Sequence, residues 1–113
     1  MSSWLLNAVR KNDERRQVRF AEGQRQGMRW MLECRDMWDA SDDDGGVYFS
    51  FCASESDVTA IAQHLNSTNT DDRLLGIFDL SKPLIPQGAG INRSDWLAGH
   101  HSQIQFDPRK TGG

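Results

Sequence analysis

Val47 to Leu80, VYFSFCASESDVTAIAQHLNSTNTDDRLLGIFDL, is the stretch whose reading decides the fold. Val47, Phe49 and Phe51 alternate with Tyr48, Ser50 and Cys52, and none of the six is charged, the pattern of a well-buried strand. Ser54-Glu55-Ser56-Asp57 then fits a capping box, in which the Ser54 hydroxyl accepts from an orphan amide and Asp57 reaches back. Val58, Ile61, Ala62 and Leu65 follow at i, i+3, i+4 and i+7, so residues 55–66 are expected to form an amphipathic helix. Asn66 to Thr70 prefer turns and stop that helix, and Arg73 to Leu80 resumes as an apolar strand. If the two strands share a sheet, their crossover is right-handed.

Working upstream, Met28, Trp30, Leu32 and Cys34 alternate with Arg29, Met31, Glu33 and Arg35, which predicts an antiparallel strand. Gln17 to Glu22 reads as its partner strand, with Val18 and Phe20 inward and the turn made by Gly23 to Gly27. The first fifteen residues read as a short helix capped by Ser2 or Ser3. Downstream, Pro83, Pro86, Gly88 and Gly90 mark an extended loop. Ser94 is positioned to cap a helical turn through Trp96 and Leu97, and Ile104 with Phe106 suggests a last edge strand. The expectation is one small α+β domain over residues 1–107, with a mixed or mostly antiparallel sheet of four to five strands. One well-defined helix (55–66), a shorter N-terminal helix and a flexible tail over 108–113 complete it.

Composition is that of a globular chain, with 37% apolar and 26% charged residues, and no run is long and apolar enough to suggest a membrane span. The N-terminus places its apolar patch before its positive charges, unlike a signal peptide, and with only Cys34 and Cys52 there is no disulfide framework. A cytoplasmic protein with two buried thiols and no cofactor is expected. The charge is unevenly laid out. Residues 1–35 carry eight Lys/Arg against four Asp/Glu, residues 36–79 one against ten, and residues 80–113 four against two. So acidic a middle third presents a negative surface, which suits a basic partner.

The segment Asp36 to Gly46, DMWDASDDDGG, concentrates that charge. It is not a calcium loop, because Asp44 stands where the loop needs glycine and its twelfth position is not acidic. Eleven residues exceed the usual hairpin connection, however, and carboxylates around an aromatic side chain can dock a basic protein surface. Trp38, Asp39, Asp42, Asp43 and Asp44 are the candidate partner-binding residues. For chemistry the candidates are His100 and His101, with Arg93 and Asp95 on the same segment. Neither histidine has metal-site spacing, so no metal is expected. Gln87 to Arg93 contains a GxG but fits neither nucleotide-binding fingerprint. Arg10, Lys11, Arg15, Arg16, Arg19, Arg25 and Arg29, with Trp30 to stack on a base, form a basic set that Asp13, Glu14 and Glu22 interrupt.

The sequence therefore points to a small acidic binding protein that covers a basic functional surface of a partner, as an inhibitor, immunity protein or antitoxin does. That partner can itself be one that acts on nucleic acid. The alternatives are a toxin-like enzyme acting on RNA or a nucleotide through the His, Asp and Arg candidates, and a nucleic-acid-binding accessory protein using residues 10–30. A net charge of −3 opposes direct nucleic-acid binding.

Overall fold

The computed structural model describes residues 3–39, 46–84 and 90–101. Its elements in order are α1 (Ser3–Arg25), β1 (Trp30–Asp36), a 3-10 turn (Met37–Asp39), β2 (Val47–Cys52), α2 (Glu55–His64), β3 (Asp72–Asp79) and α3 (Arg93–Leu97). The three strands form one sheet in the order β2-β1-β3, and β1 is antiparallel to both neighbours. β2 and β3 consequently run parallel to each other, and α2 carries the chain from one edge to the other. The fold is α+β.

Each face of the sheet is covered. Trp30, Leu32 and Cys34 of β1, with Cys52, Leu74 and Ile77, pack against Val58, Ala62 and Leu65 of the α2 region and Trp96 of α3. Met31, Phe78 and Leu80 pack on the opposite face with Phe20 of α1, and Phe49 and Phe51 join them. Central β1 is therefore buried on both sides, with Glu33 as the one charged residue among its buried positions.

One irregularity assigns β3 to both layers. Glu33 pairs with Gly76 but Cys34 pairs with Leu74, so Leu75 is an extra residue and is half exposed. Before the bulge Leu74 faces α2. After it Ile77 takes that face, while Phe78 and Leu80 turn to α1.

The first half of the capping box expected for α2 forms, without the return bond from the Ser54 amide to Asp57. Ser54 is the N-cap and its hydroxyl accepts from the Asp57 amide at 3.3 Å. The helix ends at His64, two residues before the expected boundary, because Leu65 turns to extended backbone and Asn66 adopts a positive φ of 68°. Asn66 is suited to that left-handed position, and its side chain accepts from the Leu74 amide at 2.9 Å.

Three expectations need correction. Residues 17–22 are not a strand and the N-terminal helix is not short: both belong to α1, 23 residues long. Its inner face is sparse. Phe20 and Gly23 are its buried positions among the described side chains, and Arg16 beside them pairs with Glu33 of β1 at 2.5 Å. α3 is capped by Asn92 rather than Ser94, the Asn92 side chain accepting from the Asp95 amide at 2.8 Å. Of the four to five strands expected, the described residues form three. Ile91 adds a single bridge, exchanging two backbone bonds with Ile77 at 2.7 and 2.8 Å. Ile104 and Phe106 lie outside the described residues.

Candidate protein-docking site at the acidic end of the sheet

β1 ends at Asp36, directly opposite Asp72 across the ladder to β3, and one step earlier Arg35 lies opposite Arg73. Like charges placed directly across a ladder repel, which costs this end of the sheet some stability. The Tyr48 hydroxyl donates to the Asp72 carboxylate at 2.7 Å. Burial, reinforced by that bond, pushes the Tyr48 phenol upward. Asp36 spends one carboxylate oxygen on the Trp38 amide at 3.0 Å.

The turn after β1 is tied down at several points. The Met37 amide donates to the Asp71 carbonyl at 3.1 Å, and the Asp36 amide donates to the Gly46 carbonyl at 2.8 Å. The Trp38 indole Nε1 donates to the Asp71 carboxylate. Despite these ties Trp38 is 81% exposed and its neighbour Met37 is 47% exposed. A large aromatic residue fixed in one position and left in water is the form of an interface anchor, since little side-chain entropy remains to be lost on binding.

Of the residues singled out from sequence, Trp38 and Asp39 lie in this turn, and Asp42, Asp43 and Asp44 lie outside the described residues. Asp71, Asp72 and Met37 belong to the same corner and were not singled out. The Asp71-Asp72 pair just ahead of an apolar strand was the available signal, but only the register of β3 brings it to the end of β1.

His100 and His101 follow α3. His100 is exposed. His101 stacks on Trp96, with ring centroids 3.7 Å apart and planes 12° apart; its Nε2 donates to the Trp96 carbonyl at 2.7 Å and its Nδ1 lies 3.4 Å from the Glu55 carboxylate. Arg93 donates to the Ala62 carbonyl at 2.6 Å, joining α3 to α2, and Asp95 accepts from the Asn92 side chain at 3.0 Å within the cap. The recorded contacts of Arg93 and Asp95 thus run to helix termini. His64 is exposed at the end of α2.

Burial pushes the Cys34 thiol up to about 12 and also raises Cys52, so neither is poised as a nucleophile. Among the described residues, no group of three or more His, Cys, Asp or Glu side chains is placed to hold a metal ion. No described helix is long and apolar enough to cross a membrane.

The basic set is largely engaged within the fold. Arg15 donates to the Val47 carbonyl at 2.9 Å, Arg16 binds Glu33, Arg19 binds Glu22 at 2.8 Å, and Arg29 binds Asp79 through two bonds of 3.0 and 3.1 Å. Trp30 is 1% exposed and packs edge-on against Trp96 at 4.8 Å, so it cannot stack on a nucleic-acid base. Comparisons with protein-family models, with curated proteins and with solved structures found no match.

Proposed function

We propose that this chain is a small protein-binding domain whose acidic corner covers a basic functional surface of a partner, in the manner of an inhibitor, immunity protein or antitoxin. The observation that carries the reading is Trp38: it is 81% exposed yet held by Asp36 and Asp71. Around it the Asp36, Asp71 and Asp72 carboxylates supply the field that steers a positive surface, and Trp38 with Met37 supplies apolar contact area. Asp39, Asp42, Asp43 and Asp44 follow Trp38 closely in sequence and add to the negative charge of this segment. The repulsion between Asp36 and Asp72 favours this reading, since a cation from a partner would relieve it. The partner is a basic protein, of the kind that acts on nucleic acid, met in the cytoplasm.

The test is capture of binding proteins from the native cell by the wild-type chain and by the variant with Asp42, Asp43 and Asp44 all replaced by asparagine. A basic protein held by the wild type, released by salt and retained poorly by the variant is expected. Equal retention of every captured protein by the two chains would refute the acidic surface as the docking site.

A further inference from the structure

Twice inside the fold an arginine lies over an aromatic ring and binds a carboxylate at the same time. Arg16 stands 5.8 Å from the Phe78 ring centroid and binds Glu33 through two bonds of 2.5 and 3.1 Å. Arg29 stands 4.8 Å from the Trp30 ring centroid and binds Asp79 through two bonds of 3.0 and 3.1 Å. A guanidinium suits both contacts together, because its flat face meets the ring while its N–H donors radiate in its own plane. Trp38 offers a ring and carboxylates of the same kind, yet the rings that carry an arginine among the described residues are Phe49, Phe78 and Trp30.

The Trp38 indole is held at both ends. Its residue's amide donates to Asp36 Oδ1 and its Nε1–H donates to Asp71 Oδ2. An indole N–H lies in the plane of the ring, so Asp71 stands at the rim and the ring is left 81% exposed. Each carboxylate has a second oxygen, Asp36 Oδ2 and Asp71 Oδ1, that takes no hydrogen bond from the described residues. The Met37 amide donates to the Asp71 carbonyl, which makes Asp36 and Asp72 a non-hydrogen-bonded pair, the closer of the two kinds, and sets a third carboxylate beside the first. Arg73, one step along β3, donates instead to the Thr70 and Asp72 carbonyls.

We infer that the group this corner takes from its partner is an arginine side chain, its guanidinium flat on the Trp38 indole and its N–H groups donating to the open oxygens of Asp36 and Asp71. The inference rests on the reading of this corner as a docking surface and adds the residue type that it selects. A lysine ammonium is compact and strongly hydrated and cannot lie flat on a ring. A guanidinium can, and its donors then point outward to where the carboxylates stand, Asp71 at the Nε1 edge and Asp36 at the backbone end. Because the indole is already fixed, the arginine is the group that loses freedom on binding.

Two acetylated and amidated peptides of equal charge, Gly-Arg-Gly-Arg-Gly and Gly-Lys-Gly-Lys-Gly, separate the possibilities. Each is titrated at constant salt into the isotope-labelled chain, and the magnetic-resonance signal of the Trp38 indole N–H, assigned by its loss in Trp38→Leu, is followed. The arginine peptide is expected to shift that signal and to bind at least about threefold more tightly than the lysine peptide, the scale of an exposed cation–π contact. In Trp38→Leu the two affinities, read from backbone amides of β1 and β3, should come together, leaving the charge attraction of the carboxylates. Equal shifts and equal affinities in the wild type would overturn the arginine while leaving the acidic corner as a docking surface. A preference for arginine that persists in Trp38→Leu would overturn its seat on the indole, and no shift from either peptide would overturn both the arginine and the docking surface.

Discussion

Asp36 and Asp72 stand directly opposite each other on neighbouring strands, at the end of the sheet where Trp38 is displayed. Cross-strand carboxylates cost stability by a few tenths to about 1 kcal/mol. Asp36→Asn keeps an oxygen for the Trp38 amide and removes one of the repelling charges. It should leave stability unchanged or raise it by up to about 1 kcal/mol in a denaturant titration, while weakening the partner complex. A loss greater than about 1 kcal/mol would mean that the carboxylate is there for the fold.

Leu65→Asp puts an uncompensated charge among Val58, Ala62 and Leu74. A cost above about 3 kcal/mol is expected, a large fraction of the total stability of a domain of this size. Circular dichroism and a thermal melt check it, and a wild-type melting temperature would show that α2 is not packed on the sheet.

That helix was legible because its cap, its stripe and its stop signal agree with one another. α1 was not, and the reason is physical. Val18 and Phe20 imitate a strand's alternation, yet on the helix Phe20 is buried and Val18 is exposed. The inner face is completed by Gly23 and by Arg16, whose charge looks like a surface feature until Glu33 is found beneath it. The charge spacing held the missing clue, for Asp13 with Arg16 and Gln17, and Glu22 with Arg19 and Gln26, sit three or four residues apart and bond to each other. At the Trp38 corner, the sequence offered Trp38 among carboxylates as a pattern of composition. The part played by Asp71 and Asp72 required the register of β3, which the Leu75 bulge sets and no local pattern encodes.

Gly90 passes so close to β3 that an added Cβ would lie 2.7 Å from the Ile77 carbonyl oxygen and 2.9 Å from its nitrogen. Those are backbone atoms and cannot rotate away. Gly90→Ala should break the bridge between Ile77 and Ile91 and destabilise the domain by about 1–3 kcal/mol. Loss of amide protection at Ile77 and Ile91 is the local readout, and unchanged protection would contradict the close approach.

Burial pushes the Asp79 carboxyl up, but the Arg29 guanidinium and two hydrogen bonds from Ser81 more than offset this and hold it below the usual carboxylate range. A carboxyl lowered in the folded state stabilises the fold above its unfolded pKa of about 3.9, and that stability is lost as pH falls through the lower folded value. Asp79→Asn should therefore flatten the acid limb of the stability curve below about pH 4, and Arg29→Ala should cost about 1–2 kcal/mol at neutral pH. Chemical denaturation at several pH values measures both, and an unaltered acid limb in Asp79→Asn would remove Asp79 from the account.

The most direct test of the docking corner is the kinetics of Trp38→Ala on the captured basic partner, measured at low and moderate salt. Trp38 is exposed, so the variant should fold with little change in stability. If it is the anchor, the complex should dissociate at least about tenfold faster, with the association rate and its salt dependence preserved by the surrounding carboxylates. A variant that binds and leaves the partner at wild-type rates would contradict the account.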